Sequence, residues 1–151
     1  MLLGAIMLCL STVALPAQPN KVEREIDCLA KTIYHEARGE TEAGKKAVAM
    51  VTINRANNPM FPDSICRVVY EPGQFSWTLD KKAKIKDYVL FAKIRDLAAS
   101  MYHQYHVEGI TPKSLTNLEN ALYFSVQGFN NKNLKFIMKI GGHRFYSLRH
   151  A

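Results

Sequence analysis

A chain of 151 residues has room for one well-formed core, which leaves no space for a second domain within this length. A hydrophobic fraction of 48% and a charged fraction of 22% are ordinary for a soluble globular domain, and no repeat or low-complexity tract interrupts them. The net charge of +7 suits a polyanionic partner, whether nucleic acid, anionic lipid or an envelope rich in carboxylates and phosphates, and does not choose among the three.

The amino terminus reads as a targeting segment. Met1 to Gln18 carries no charged side chain, Leu2 to Leu10 is almost wholly apolar, and Ser11, Thr12, Val13 and Ala14 supply the small residues of a cleavage site. The stretch is shorter than the roughly 20 residues of a stable span, so it is expected to be a signal peptide or signal-anchor over residues 1–18, and the only part of the chain to touch a membrane. Its removal would take Cys9 away and leave Cys28 and Cys66, an even pair. In an oxidising compartment these form a disulfide; otherwise they are two small buried thiols.

A first helix is predicted from about Glu23 to Arg38, with Gly39 as its stop. Turning about 100° per residue from Ile26, the residues Leu29, Ala30, Ile33, Tyr34 and Ala37 form one apolar stripe. Glu36 falls at the edge of that stripe, about 20° beyond Leu29, while Lys31, His35 and Arg38 point away. A carboxyl bordering the core is desolvated, its pKa rises, and it can hold a proton near neutral pH as a general acid must. The competing reading is a half-buried residue paired with Lys or Arg.

Glu40, Thr41 and Glu42 place acids and a capping hydroxyl at the start of a second helix, which runs to about Arg55 and is ended by Asn57-Asn58-Pro59. Asp63 is the expected N-cap of a short helix from Ser64 to about Tyr70. A turn at Glu71-Pro72-Gly73 leads into a loop, Gln74-Phe75-Ser76-Trp77-Thr78, that holds the lone Trp. The basic run Lys81 to Lys86 reads as a solvated face that attracts anionic polymer. A long helix is predicted over Lys84 to Tyr105, with Val89, Leu90, Ile94, Leu97, Ala98 and Met101 inward. Ala121 to Val126 and Phe136 to Tyr146 look like short strands around Gly128 and Gly141-Gly142, arranged as a hairpin. The architecture is therefore mainly α with a small β element near the C-terminus.

Four stretches in order carry a resemblance. Ala30 to Arg55 (AKTIYHEARGETEAGKKAVAMVTINR), Phe61 to Trp77 (FPDSICRVVYEPGQFSW), Ala121 to Phe124 (ALYF) and Lys139 to Tyr146 (KIGGHRFY) are together similar to the SleB/CwlJ-type cell wall hydrolases. The resemblance covers nearly all of the chain after the leader, from about Ile26 to Tyr146. It implies an α+β, mainly α, lysozyme-like single domain related to lytic transglycosylases, a catalytic domain over residues 22–151, and peptidoglycan as substrate. It also implies that Glu36 is the catalytic acid, the residue singled out by periodicity.

The chemistry needs an acid because the bond between N-acetylmuramic acid and N-acetylglucosamine has a poor leaving group. A protonated carboxyl donates to the bridging oxygen as an oxocarbenium-like centre forms. A hydrolase adds a second carboxylate as nucleophile or base; Glu40 and Glu71 are the nearby candidates, and Glu40 reads better as a cap or as an orienter of Arg38. In a lytic transglycosylase the muramic acid's own C6 hydroxyl closes on C1, so that one Glu serves as acid and then base. On the loop, Phe75 and Trp77 can stack on a sugar ring while Gln74 and Ser76 bond its N-acetyl group, or the two aromatics cover the core. Asn54 and Arg55 shape the site or end the helix. Tyr123, His143 and Tyr146 line the opposite wall. The expected substrate-binding set is thus Glu40, Asn54, Gln74, Phe75, Ser76, Trp77, Tyr123, His143 and Tyr146.

No cofactor or metal is expected. A zinc amidase acting on the muramoyl-alanine link is the nearest rival, but His35, His103, His106, His143 and His150 form no zinc motif such as HExxH. A non-catalytic wall-binding module is the second rival. No recognised nucleic-acid motif is present. The expected protein is an exported monomer acting on peptidoglycan in the periplasm or cell wall.

Overall fold

The computed structural model describes residues 19–109, 111 and 113–149; the leader predicted over residues 1–18 lies outside them. Helix α1, Lys21–Ala37, begins at Asn20, whose side chain accepts from the Glu23 N–H at 2.9 Å. One face of α1 buries Ile26, Leu29, Ala30, Ile33, Tyr34 and Ala37, the stripe expected from the wheel. Helix α2, Glu42–Ala56, is capped by Thr41, whose hydroxyl accepts from the Gly44 N–H. Residues 47–55 of α2 are all buried, so this helix is the centre of the core rather than an amphipathic surface helix. Its one buried hydroxyl, on Thr52, is satisfied by the Val48 carbonyl at 3.2 Å.

Helix α3, Ile65–Val69, starts at Ser64, whose hydroxyl accepts from the Arg67 N–H. The cap expected at Asp63 is thus displaced by one residue; Asp63 instead pairs with Arg67 on the surface at 2.6 Å. A buried carboxylate on α1, Glu25, accepts from the Ile65 N–H at 2.6 Å and the Cys66 N–H at 3.3 Å. Those are amides that a helix start leaves without internal partners. Beside it the Cys28–Cys66 disulfide joins the same two helices, which settles the cysteine pair left open by the sequence.

Helix α4, Tyr88–His106, packs across α1 and buries Ile94, Ala98 and Met101. It begins four residues later than Lys84 because Asp87 caps it, accepting from the Leu90 N–H at 2.8 Å. The Tyr34 hydroxyl takes the Lys86 and Asp87 amides, each at 3.1 Å. Val89, expected inward, is 72% exposed.

The β element is a three-stranded antiparallel sheet of β1, Tyr123–Ser125, β2, Leu134–Ile140, and β3, His143–Leu148, in the order β1-β3-β2. The stretch Phe136 to Tyr146 is a hairpin that turns at Gly141-Gly142, with Ile140 opposite His143. Gly141 has φ +56° at the first central position of this two-residue turn, a conformation that favours glycine.

Candidate active site

Glu36 stands on the last turn of α1, half-buried at the edge of its apolar face. Burial pushes its carboxyl above the ordinary carboxylate range, and the Arg55 guanidinium draws it part of the way back. The group is therefore biased toward the protonated form while a positive charge stands ready to balance the carboxylate left after proton donation.

Arg55, buried near the end of α2, has the strongest environment in the site. Its guanidinium lies over three aromatic faces, with centroids at 5.5 Å for Phe61, 5.6 Å for Phe75 and 5.7 Å for Tyr123. Its Nε donates to the Leu122 carbonyl at 2.7 Å. Burial lowers its pKa, and Tyr123, Glu71 and Glu36, in that order, act to restore its charge. The cage is assembled from α2, two loops and β1. The sequence does not choose between site-shaping and helix-ending roles for Arg55, because two of the three cage rings, Phe75 and Tyr123, are distant in the chain; its signal is an arginine within an otherwise buried helix.

The loop 74–78 supplies a wall. Ser76–Thr78 form a short 3-10 turn, with Ser76 exposed and Gln74 and Trp77 partly so. Trp77 stacks on His35 of α1, with centroids 4.5 Å apart and planes at 17°, which holds the indole beside the turn that carries Glu36. Phe75 is only 3% exposed and packs against Arg55, Trp77 and Phe124. It supports the wall from behind and has no free face for a sugar, contrary to the expectation that it lies open in the cleft.

Glu40 is neither a helix cap nor an orienter of Arg38. Its two carboxylate oxygens accept from the Gly142 N–H at 3.2 Å each, and Oε1 lies 3.7 Å from His143 Nδ1. Arg38 sits over the Tyr34 ring instead. A Cβ on Gly141 would lie 1.9 Å from Glu40 Oε2, and one on Gly142 2.9 Å from Oε1, so the glycine pair makes room for this carboxylate. The contact ties the start of α2 to the β2–β3 turn. His143 is buried beside it, edge-on to Phe124, and burial lowers its pKa while Glu40 raises it.

Two other expected site residues are committed to the scaffold, and a third, Tyr123, keeps an open face. Asn54 donates through Nδ2 to the Leu118 and Ala121 carbonyls, at 2.8 and 2.9 Å, and so ties α2 to the segment that enters β1. Tyr146 is buried, and its hydroxyl accepts from the Phe129 N–H at 3.4 Å. Tyr123 is partly exposed between Phe61 and Phe129 and over Arg55. The fold thus gathers Glu36, Arg55, Phe75, Trp77 and Tyr123 around one centre, and Glu40 and His143 around a neighbouring one. Among the described residues, no three His, Cys, Asp or Glu side chains converge as a metal-holding group.

Known proteins can now be set beside this geometry. The spore cortex-lytic enzyme of Halalkalibacterium halodurans is 43% identical over 58 residues, which is 38% of this chain and 18% of that one. The chain therefore spans about a fifth of that relative's length. The catalytic domain of the SleB protein of Bacillus cereus superposes with a TM-score of 0.60 at 27% identity, over 88% of this chain and 95% of that domain. The catalytic domain of the germination-specific lytic transglycosylase SleB from Bacillus anthracis gives 0.62 at 26% identity, over 88% and 100%. The family model described as Cell Wall Hydrolase matches residues 39–146, which takes in every expected site residue except Glu36, three positions upstream. The chain belongs to the cell wall hydrolase family.

Proposed function

We propose that this chain is a peptidoglycan-degrading enzyme that breaks the β-1,4 bond between N-acetylmuramic acid and N-acetylglucosamine as a lytic transglycosylase. The observation that carries the reading is Glu36: one half-buried carboxyl with raised proton affinity, next to a buried arginine and a tryptophan wall. Protonated Glu36 donates to the bridging oxygen as the bond from C1 breaks. The carboxylate that remains, balanced by Arg55, then takes the proton of the C6 hydroxyl as that oxygen closes on C1. The product is a 1,6-anhydro end, and Glu36 returns to its protonated form.

The state of the other acids supports a single-carboxylate mechanism. Glu40 spends both oxygens on the Gly142 amide, and the Oε2 of Glu71 is shut away from solvent. These contacts disfavour either group as the water-activating carboxylate that an inverting or retaining hydrolase requires. In this reading Gln74, Ser76, Trp77 and Tyr123 contact the glycan, whereas Glu40, Asn54, Phe75, His143 and Tyr146 shape the wall without touching it. The Cys28–Cys66 bridge accords with work outside the cytoplasm, where disulfides persist.

Digestion of purified peptidoglycan, with mass spectrometry of the soluble fragments, tests the reading. Anhydro-muramic ends that disappear with Glu36→Gln are expected. Reducing muramic ends would replace transglycosylation with hydrolysis and point to Glu71. Free stem peptides would make the enzyme an amidase.

A further inference from the structure

A concave surface lies beside the Trp77–His35 stack, at the turn of α1 that carries Glu36. It is a groove of about 530 Å³ between the last turn of α1, the Trp77 turn and the segment 80–87 that leads into α4. Its walls include His35, Trp77, Arg38, Lys82, Lys84 and Lys86. Two acids, Asp80 and Asp87, also line it; each keeps its charge while one of its oxygens accepts a backbone amide, Asp80 from the Lys82 N–H at 2.8 Å and Asp87 from the Leu90 N–H at 2.8 Å, so four cations face two anions and the groove is net positive. Among the described residues the four cations make no salt bridge: the pairs present are Lys46–Glu42, Arg67–Asp63, Arg95 with Glu23 and Asp27, and the Glu40–His143 approach. Burial, then Arg38 and Lys31, lower the pKa of His35, so its ring serves as a neutral stacking surface rather than a further charge. The groove is thus a net-positive slot with an aromatic rim, the Trp77–His35 pair, whose His35 is the residue before Glu36.

We propose that this groove holds the free carboxylates of the peptide stem that hangs from the muramic acid of the bound glycan. The inference rests on the glycan-cleaving reading above. Each repeat of such a substrate carries a short anionic peptide beside the bond to be broken. A strand seated at Glu36 therefore presents carboxylates one sugar away. Unpaired lysines on a groove wall contribute through charge and reach, so the contact is weak singly, additive, and screened by salt. The basic run that reads in sequence as a solvated face becomes one side of a substrate site because Tyr34 pins the chain at Lys86 and Asp87 against α1.

The experiment compares binding of soluble, uncross-linked glycan strands that keep their stem peptides with the same strands stripped of them, using the Glu36→Gln protein and isothermal calorimetry. Peptide-bearing strands are expected to bind about fivefold tighter at low salt, the size that two or three exposed ion pairs give. The preference is expected to fall to about one at high salt, and also in Lys82→Ser/Lys84→Ser/Lys86→Ser protein. A variant with the same loss of charge elsewhere, Lys113→Ser/Lys132→Ser/Lys135→Ser, keeps it. Equal affinity for the two strands, or a preference that survives the groove triple variant, overturns the inference. So does a preference shown only toward a phosphodiester wall polymer. Cleavage of stripped strands by the wild-type protein is followed in parallel and reports on the glycosidase reading alone, so the two can fail separately.

Discussion

Gly141→Ala is the substitution whose consequence can be worked most fully from the fold. At φ +56° an alanine costs about 1–2 kcal/mol relative to glycine. Its Cβ would also stand 1.9 Å from Glu40 Oε2, which forces the flexible Glu40 side chain to swing away and give up the Gly142 amide. Losing a hydrogen bond to a charged group adds about 1.5–3 kcal/mol. The expected total of about 2.5–5 kcal/mol corresponds to a fall in Tm of roughly 5–20 °C for a domain of this size. Thermal unfolding followed by circular dichroism measures it, and a double-mutant cycle identifies the cause. In a Glu40→Ala background the carboxylate is already gone, so Gly141→Ala should cost only the backbone part, with a coupling of about 1.5–3 kcal/mol. A coupling below about 0.5 kcal/mol would refute the claim that this carboxylate is what the glycine makes room for.

Glu36→Gln should reduce glycan cleavage by about a hundredfold or more, measured as the rate of muropeptide release. The same variant should be more stable than the wild type at pH 7, by a margin that shrinks toward pH 4. A carboxyl whose folded pKa is raised binds more protons folded than unfolded, so its penalty develops as pH climbs from the ordinary carboxylate value of about 4.3 through the folded one. Melting at the two pH values decides it, and an equal margin at both would contradict a raised pKa. Arg55→Met, which keeps an apolar body inside the aromatic cage, removes the charge that draws the Glu36 carboxyl down. The alkaline limb of the pH–rate profile should therefore move to higher pH, whereas a merely structural loss would scale the profile without moving it. Reduction of the Cys28–Cys66 bridge, which spans a sequence separation of 38, should cost about 3–4 kcal/mol, read as a lower urea midpoint in the presence of reductant.

The parts of this protein that are legible along the chain are those governed by neighbours three or four residues away. The stripe on α1 and the half-buried place of Glu36 follow from helical periodicity, and the Thr41 cap from a hydroxyl before a helix. Family motifs placed the loop 74–78 beside the site, although they do not say that Phe75 turns inward while Trp77 faces the rim. Local rules missed where another part of the chain competed for the same backbone group. Helix α4 begins at Tyr88 because the Tyr34 hydroxyl takes two amides that would otherwise belong to its first turn, and α3 begins at Ile65, capped by Ser64 rather than Asp63, with its amides received by Glu25 on α1. Tertiary structure alone decided the Arg55 cage, the Asn54 tie to the Leu118 and Ala121 carbonyls, and the Glu40 contact with a turn 102 residues away. A buried charge or amide needs partners wherever the fold can bring them. Such long-range pairings leave no period in the sequence from which they could be read.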